Sequence, residues 1–185
     1  MPIVLKRVDE SRDARDKDKE VRLARQQKVI EAQSKLLDDL SELLWRWRYL
    51  SMRIAYYGLL GDPERYDAAE DEYDKQVWDV FDDVRVQISR ARRLASEEAY
   101  NVLLRFYEEQ LVELDKELMK ARDTAPADRR AAYFELNKRI MSDTSTRIDN
   151  VLHEIAHVVG LSESDVPTFA ERETDGSHGE DRSVA

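Results

Sequence analysis

The chain contains no cysteine, and its 185 residues include only five glycines, four prolines and three histidines. Without cysteine, neither a disulfide framework nor a thiolate metal site can form. With so few chain breakers, and with Glu, Lys, Arg, Leu and Ala abundant, long helices are expected and no strand pattern stands out. No apolar run approaches the roughly 20 residues needed to span a bilayer. The opening MPIVLKRVDE is too short and too quickly charged for a secretory signal peptide, so the expected location is cytoplasmic. A positive balance is missing as well. The net charge of −10 argues against general binding to a phosphate backbone, so no nucleic-acid partner is expected. There is no glycine-rich phosphate loop and no internal repeat.

What is present is helical periodicity. Residues 1–11 read as a flexible lead-in, and a helix is expected from about residue 12 to 60. Its first part, 12–35, is a charged overhang: Asp13 with Lys17 and Asp18 with Arg22 have the acid-before-base i,i+4 order of an exposed helix. From Leu36 the apolar face is clear. Leu36, Leu43, Leu50 and Tyr57 recur every seven residues, as do Leu40, Trp47 and Ile54, with Leu37 and Leu44 beside them. The stretch GLLGDPER then stops the helix: Gly61 suits a left-handed cap, Asp62 an N-cap and Pro63 a first turn. A second helix, 63–95, turns Tyr66, Tyr73, Val77, Phe81, Val84, Ile88 and Ala91 inward. Ser96 caps a third, 97–122, with Leu103, Phe106, Leu114 and Leu118 inward. A fourth, 127–161, carries Leu136, Ile140, Ile148, Leu152, Ile155 and Val159, with SDTST (142–146) as a weak spot. Residues 162–185 read as a disordered acidic tail. Short turns between four such helices predict an all-α, antiparallel up-down four-helix bundle with a long first helix.

Two stretches carry chemistry. The first is VLHEIAHVVGL, residues 151–161, which contains H-E-x-x-H. In a helix His153 and His157 lie one turn apart on one face, where both imidazoles can reach one Zn²⁺, with Glu154 as general base. With Gly160 the stretch resembles the zincin metallopeptidases, metzincins included, over these eleven residues. That resemblance implies a zinc-dependent hydrolase and puts the third ligand at Glu163, or at Glu171 or Glu173 further on. The sequence departs from it in having no methionine after Met141 and no strand to hold an extended substrate. A helical wheel gives the competing reading. Ile148, Leu152, Ile155 and Val159 fall on one side, and His153 and His157 on the polar side with Thr146 and Asn150, as surface residues of an amphipathic helix. A di-iron centre would need a second E-x-x-H, and the remaining histidine is His178 in the tail.

The second stretch is LWRWRYLSMRIAYY, residues 44–57. Trp45, Tyr49, Met52 and Tyr56 form a stripe nearly opposite Leu40, Trp47 and Ile54, and Arg46, Arg48 and Arg53 flank it. Trp, Tyr, Met and Arg are the residue types enriched at protein interfaces. A simple bundle leaves such a stripe exposed, so it is the expected binding surface for a protein partner or for self-association. The alternatives are cover by PIVL at the start of the chain or by the segment around Val166 and Phe169, or a first helix that is simply central in the bundle. The sequence thus predicts a non-enzymatic helical bundle that works by association, with the zinc hydrolase as the alternative.

Overall fold

The computed structural model describes the backbone of residues 2–161 and the side chains of residues 17–125 and 128–161. It is built of four helices, and the described residues contain no strand. Helix α1 is Pro2–Leu60 and α2 is Pro63–Leu94. Helix α3 spans 97–123 and α4 spans 126–159, each interrupted by a π-helical turn, Tyr107–Val112 in α3 and Ile140–Thr144 in α4. The tail from 162, with Glu163, Glu171, Glu173 and His178, lies outside the described residues. None of the described helices is long and apolar enough to cross a membrane.

Each boundary has a local cause. Gly61 takes φ +69°, and its N–H donates to the Tyr57 carbonyl at 3.1 Å. Asp62 then accepts the Arg65 backbone N–H at 3.2 Å, and Pro63 fills the first helical position. Ser96 accepts the Ala99 N–H at 3.1 Å to start α3. Gly160, at φ +74°, ends α4, and the Leu161 N–H closes back on Ala156 at 2.9 Å. Gly61, Asp62 and Ser96 are the caps read from the sequence, whereas the left-handed cap at Gly160 was not among them. The start of α1 differs: it is Pro2 rather than about residue 12. No glycine or proline interrupts residues 3–57, and Pro2 itself suits a first helical turn.

The π turn in α4 falls on the weak spot. Ser142 donates to the Lys138 carbonyl at 2.8 Å and Thr146 to Ser142 at 3.2 Å. Such side-chain bonds to the preceding turn compete with the backbone ladder and bend helices. In α3 the π turn turns two adjacent pairs inward, Phe106 with Tyr107 and Gln110 with Leu111, a wider buried arc than a regular helix presents.

The helices run antiparallel in sequence order. Gln33 of α1 reaches the carbonyl of Leu94 at the end of α2, while Arg48 reaches Ile140 and Gly58 lies against Tyr133 at the start of α4. Helix α1 therefore packs between α2 and α4, with α3 across the diagonal. The core runs along this axis through Leu36, Leu40, Trp47, Tyr73, Leu111 and Tyr133, all fully buried. Gly58 allows the closest approach: a Cβ there would lie 2.6 and 2.7 Å from Cε2 and Cγ of Tyr133.

Asp39 ties α1 to α2, taking Lys35 at 3.1 Å and Arg90 at 2.8 Å. Burial works against its charge, yet those two cations hold its carboxyl below the usual carboxylate range. Below this level the bundle ends but α1 does not. Every residue from Lys17 to Glu31 is exposed, as the charged overhang predicts.

Candidate functional site

The H-E-x-x-H stretch sits in the last turns of α4, where Val151, Leu152, Ile155 and Ala156 are buried and His153, Glu154 and His157 are exposed. His153 Nδ1 lies 2.7 Å from the carbonyl oxygen of Asp149, one turn back on its own helix. Glu154 borders a shallow cleft between α3 and α4 with Arg105, Glu109, Gln110 and Arg147. Among the described residues, no three His, Asp or Glu side chains are grouped so that they could hold a metal ion. The described arrangement offers two imidazoles on an open face, with Glu154 lining the α3–α4 cleft, and does not group the three protein ligands that zinc enzymes use. Replacing both imidazoles, His153→Ala with His157→Ala, should change the unfolding free energy by less than about 0.5 kcal/mol per site. Chemical denaturation checks this. One zinc per chain, held through dialysis and lost in that variant, would show instead that the pair is a metal site.

The aromatic stripe divides in two. Tyr49 and Tyr56 are 50% and 46% exposed, as expected. Trp45 and Met52 are half-buried and pack on the core, which corrects the reading of four exposed side chains. The cause is the position of α1 between two neighbours, so that the edges of its outer face lean into the flanking helices. The arginines are also committed to the bundle. Arg46 donates to Gln76 of α2 at 2.7 Å, and Arg53 pairs with Glu72 of α2 while lying 5.6 Å over the Tyr49 ring. Arg48 lies over Trp45 and donates to the Ile140 carbonyl of α4 at 3.2 Å. Burial depresses the Arg48 pKa, while Asp149 works the other way. Instead of forming a loose rim around a docking patch, the three arginines brace α1 on both sides.

Sequence reasoning missed the α4 half of this surface. Phe134 and Met141, seven residues apart, are both about half exposed. The Met141 sulfur lies 3.9 Å from Arg48, and Phe134 lines a depression with Leu59 of α1. The outer side of α1 and α4 therefore carries Tyr49, Met52, Tyr56 and Leu59 on one helix and Phe134 and Met141 on the other, with Tyr49 set toward α2 through Arg53 and Glu72. The available signal was the i,i+7 spacing of the last two, outside the inward row of Leu136 and Ile140.

A polar cluster between α2, α3 and α4 was also not legible in sequence. The hydroxyls of Tyr66 and Tyr133 are 2.6 Å apart, Tyr66 donates to Glu70 at 3.3 Å, and Glu70 takes Arg122 Nε at 2.5 Å. Burial first, then the Tyr133 hydroxyl and Glu70, push the Tyr66 hydroxyl well above its ordinary value, and burial likewise raises Tyr133. Both are thus kept as neutral hydroxyls, and Glu70 and Arg122 neutralise one another. The adjoining cleft, about 400 Å³, opens at the α1–α2 turn, and Tyr66, Glu70 and Arg122 on its wall bond to one another. No family model matches the chain, and neither a curated protein nor a solved structure matches it.

Proposed function

We propose that this protein is a non-enzymatic helical bundle that works by protein association, through the outer seam between α1 and α4. The observation that carries the reading is the half exposure of Tyr49 and Tyr56 on α1 together with Phe134 and Met141 on α4. These large side chains stand on two adjacent antiparallel helices, and an exposed face of this kind suits the apolar side of an amphipathic helix from a partner protein. Fully burying such a side chain is worth about 1.5–3 kcal/mol before the costs of association. Two or three of them are therefore enough for a specific contact.

Tyr49 and Tyr56 are the sites to test, because Trp45 and Met52 also support the core. Tyr49→Glu with Tyr56→Glu should leave the circular dichroism and unfolding midpoint close to wild type. Binding of a partner captured from the protein's own cells should weaken by about 30-fold or more, corresponding to loss of about 2 kcal/mol. A partner whose affinity is unchanged by the double substitution, or no partner at all, would sink the proposal. The zinc hydrolase reading has no such support beyond the spelling of His153, Glu154 and His157. Its third ligand would have to come from residues such as Glu163.

A further inference from the structure

The overhang of α1 is an amphipathic surface with nothing described to cover it. Val29 and Ile30 lie one heptad before Leu36 and Leu37, so the apolar row that enters the core also continues beyond the end of the bundle. There Leu23, Val29 and Ile30 are 64%, 48% and 46% exposed. Between Val21 and Ile30 the charged residues are Arg22, Arg25 and Lys28, with no acid among them, in a chain whose net charge is −10. A helix without tertiary packing is marginal in water, so this segment gains from a covering surface that is apolar and acidic.

Helix α2 presents such a surface. Trp78 and Val86, 63% and 54% exposed, are eight residues apart and share its outer side. Asp71, Asp79 and Asp82 are exposed around them. Three exposed cations, Lys75, Arg85 and Arg93, lie nearby, Arg85 already engages Asp82 at 3.2 Å, and Asp83 adds a fourth exposed acid, so acid remains in excess. The overhang cannot reach this face within its own chain. Helix α1 is continuous from Pro2 to Leu60, and α2 packs along its bundle half. The lengths agree: at 1.5 Å per residue, residues 2–35 extend about 50 Å and the bundle half of α1 about 37 Å. Two copies set antiparallel can each lay an overhang along the other's bundle, with the contact repeated about a two-fold axis. Pairing overhang on overhang would instead oppose three cations to three cations.

We infer that the basic segment of α1 around Val21–Ile30 docks on the acidic, tryptophan-bearing face of α2 in a second copy of this chain, forming a reciprocal dimer. This contact is independent of the α1–α4 seam.

Charge reversal tests it on the full chain. Light scattering should give twice the chain mass for wild type, with dissociation favoured by salt. The overhang variant, Arg22→Glu with Arg25→Glu and Lys28→Glu, should weaken the dimer by about tenfold or more, as should the α2 variant Asp79→Lys with Asp82→Lys. Circular dichroism confirms that both remain helical. Mixing the two variants should restore a dimer, because both contacts in the mixed pair become complementary again. The inference fails if wild type is monomeric up to about 100 μM, a range that covers weak association. It fails equally if either variant dimerises as wild type does, or if the mixture stays monomeric.

Discussion

Trp47→Ala is expected to destabilise the protein by about 3–5 kcal/mol, the usual cost of emptying a large aromatic site in a core. Total stabilities of single domains are about 5–15 kcal/mol, so this one substitution can remove much of the margin. Trp47 is fully buried at the middle of the bundle half of α1, in the row with Leu40 and Ile54. Its indole N–H is buried without a hydrogen-bond partner, so Trp47 contributes through packing and pays a polar penalty. Trp47→Phe should therefore cost much less than Trp47→Ala, since it keeps an aromatic ring and removes an unsatisfied donor worth about 1–3 kcal/mol. Urea unfolding followed at 222 nm checks both. A loss below about 1 kcal/mol for the alanine variant would mean that the site collapses freely and the core is not packed around this ring.

Alkaline pH should unfold the protein steeply. Tyr66, Tyr73 and Tyr133 all have hydroxyls raised above the ordinary value, each first by burial. Tyr73 is fully buried and donates to Asp115 at 2.7 Å, so ionising it would place two negative charges side by side. In the unfolded chain these groups lose their protons near pH ~10. The folded state then holds more protons than the unfolded one, so stability is complete below that pH and falls as pH rises through it. Each tyrosine contributes a slope of about 1.4 kcal/mol per pH unit. Denaturant unfolding between pH 8 and pH 11.5, in steps of about one unit, reads that slope. Tyr66→Phe with Tyr133→Phe removes both ends of one hydrogen bond and should flatten it by about half or more. Tyrosinate absorbance that reaches completion while the helices remain intact would contradict the assignment.

How much was legible depended on whether a feature was local. The heptad rows of α1 and the caps at Gly61, Asp62 and Ser96 are set by neighbours in sequence, and all appear as read. The strained SDTST run is also local, and a π turn sits there. The second π turn, in YEEQLV, has no local marker, because it serves the burial of Tyr107 and Leu111 against other helices. A wheel placed Trp45 and Met52 on the outer side, away from the row of Leu40, Trp47 and Ile54, yet both pack on the core. It could not show that α2 and α4 flank α1 closely enough to shield them. The Tyr66–Tyr133 hydroxyl contact joins residues 67 apart, which no periodicity announces. For the zinc stretch, the wheel already put His153 and His157 away from Ile155, and they are exposed in the folded chain.

The unbroken 59-residue α1 gives the molecule a long axis of nearly 90 Å at 1.5 Å per residue, while α2 and α4 extend only about 50 Å. Such a shape tumbles slowly end over end and drags more solvent than a sphere of equal mass. A single chain will therefore elute from a sizing column well ahead of its 21.7 kDa and show high fluorescence anisotropy without any partner. Pairing antiparallel copies side by side would add mass while adding little length, so a dimer would be distinctly less elongated for its mass. Frictional ratio, falling as concentration rises, is thus a sign of association that elution volume alone would obscure.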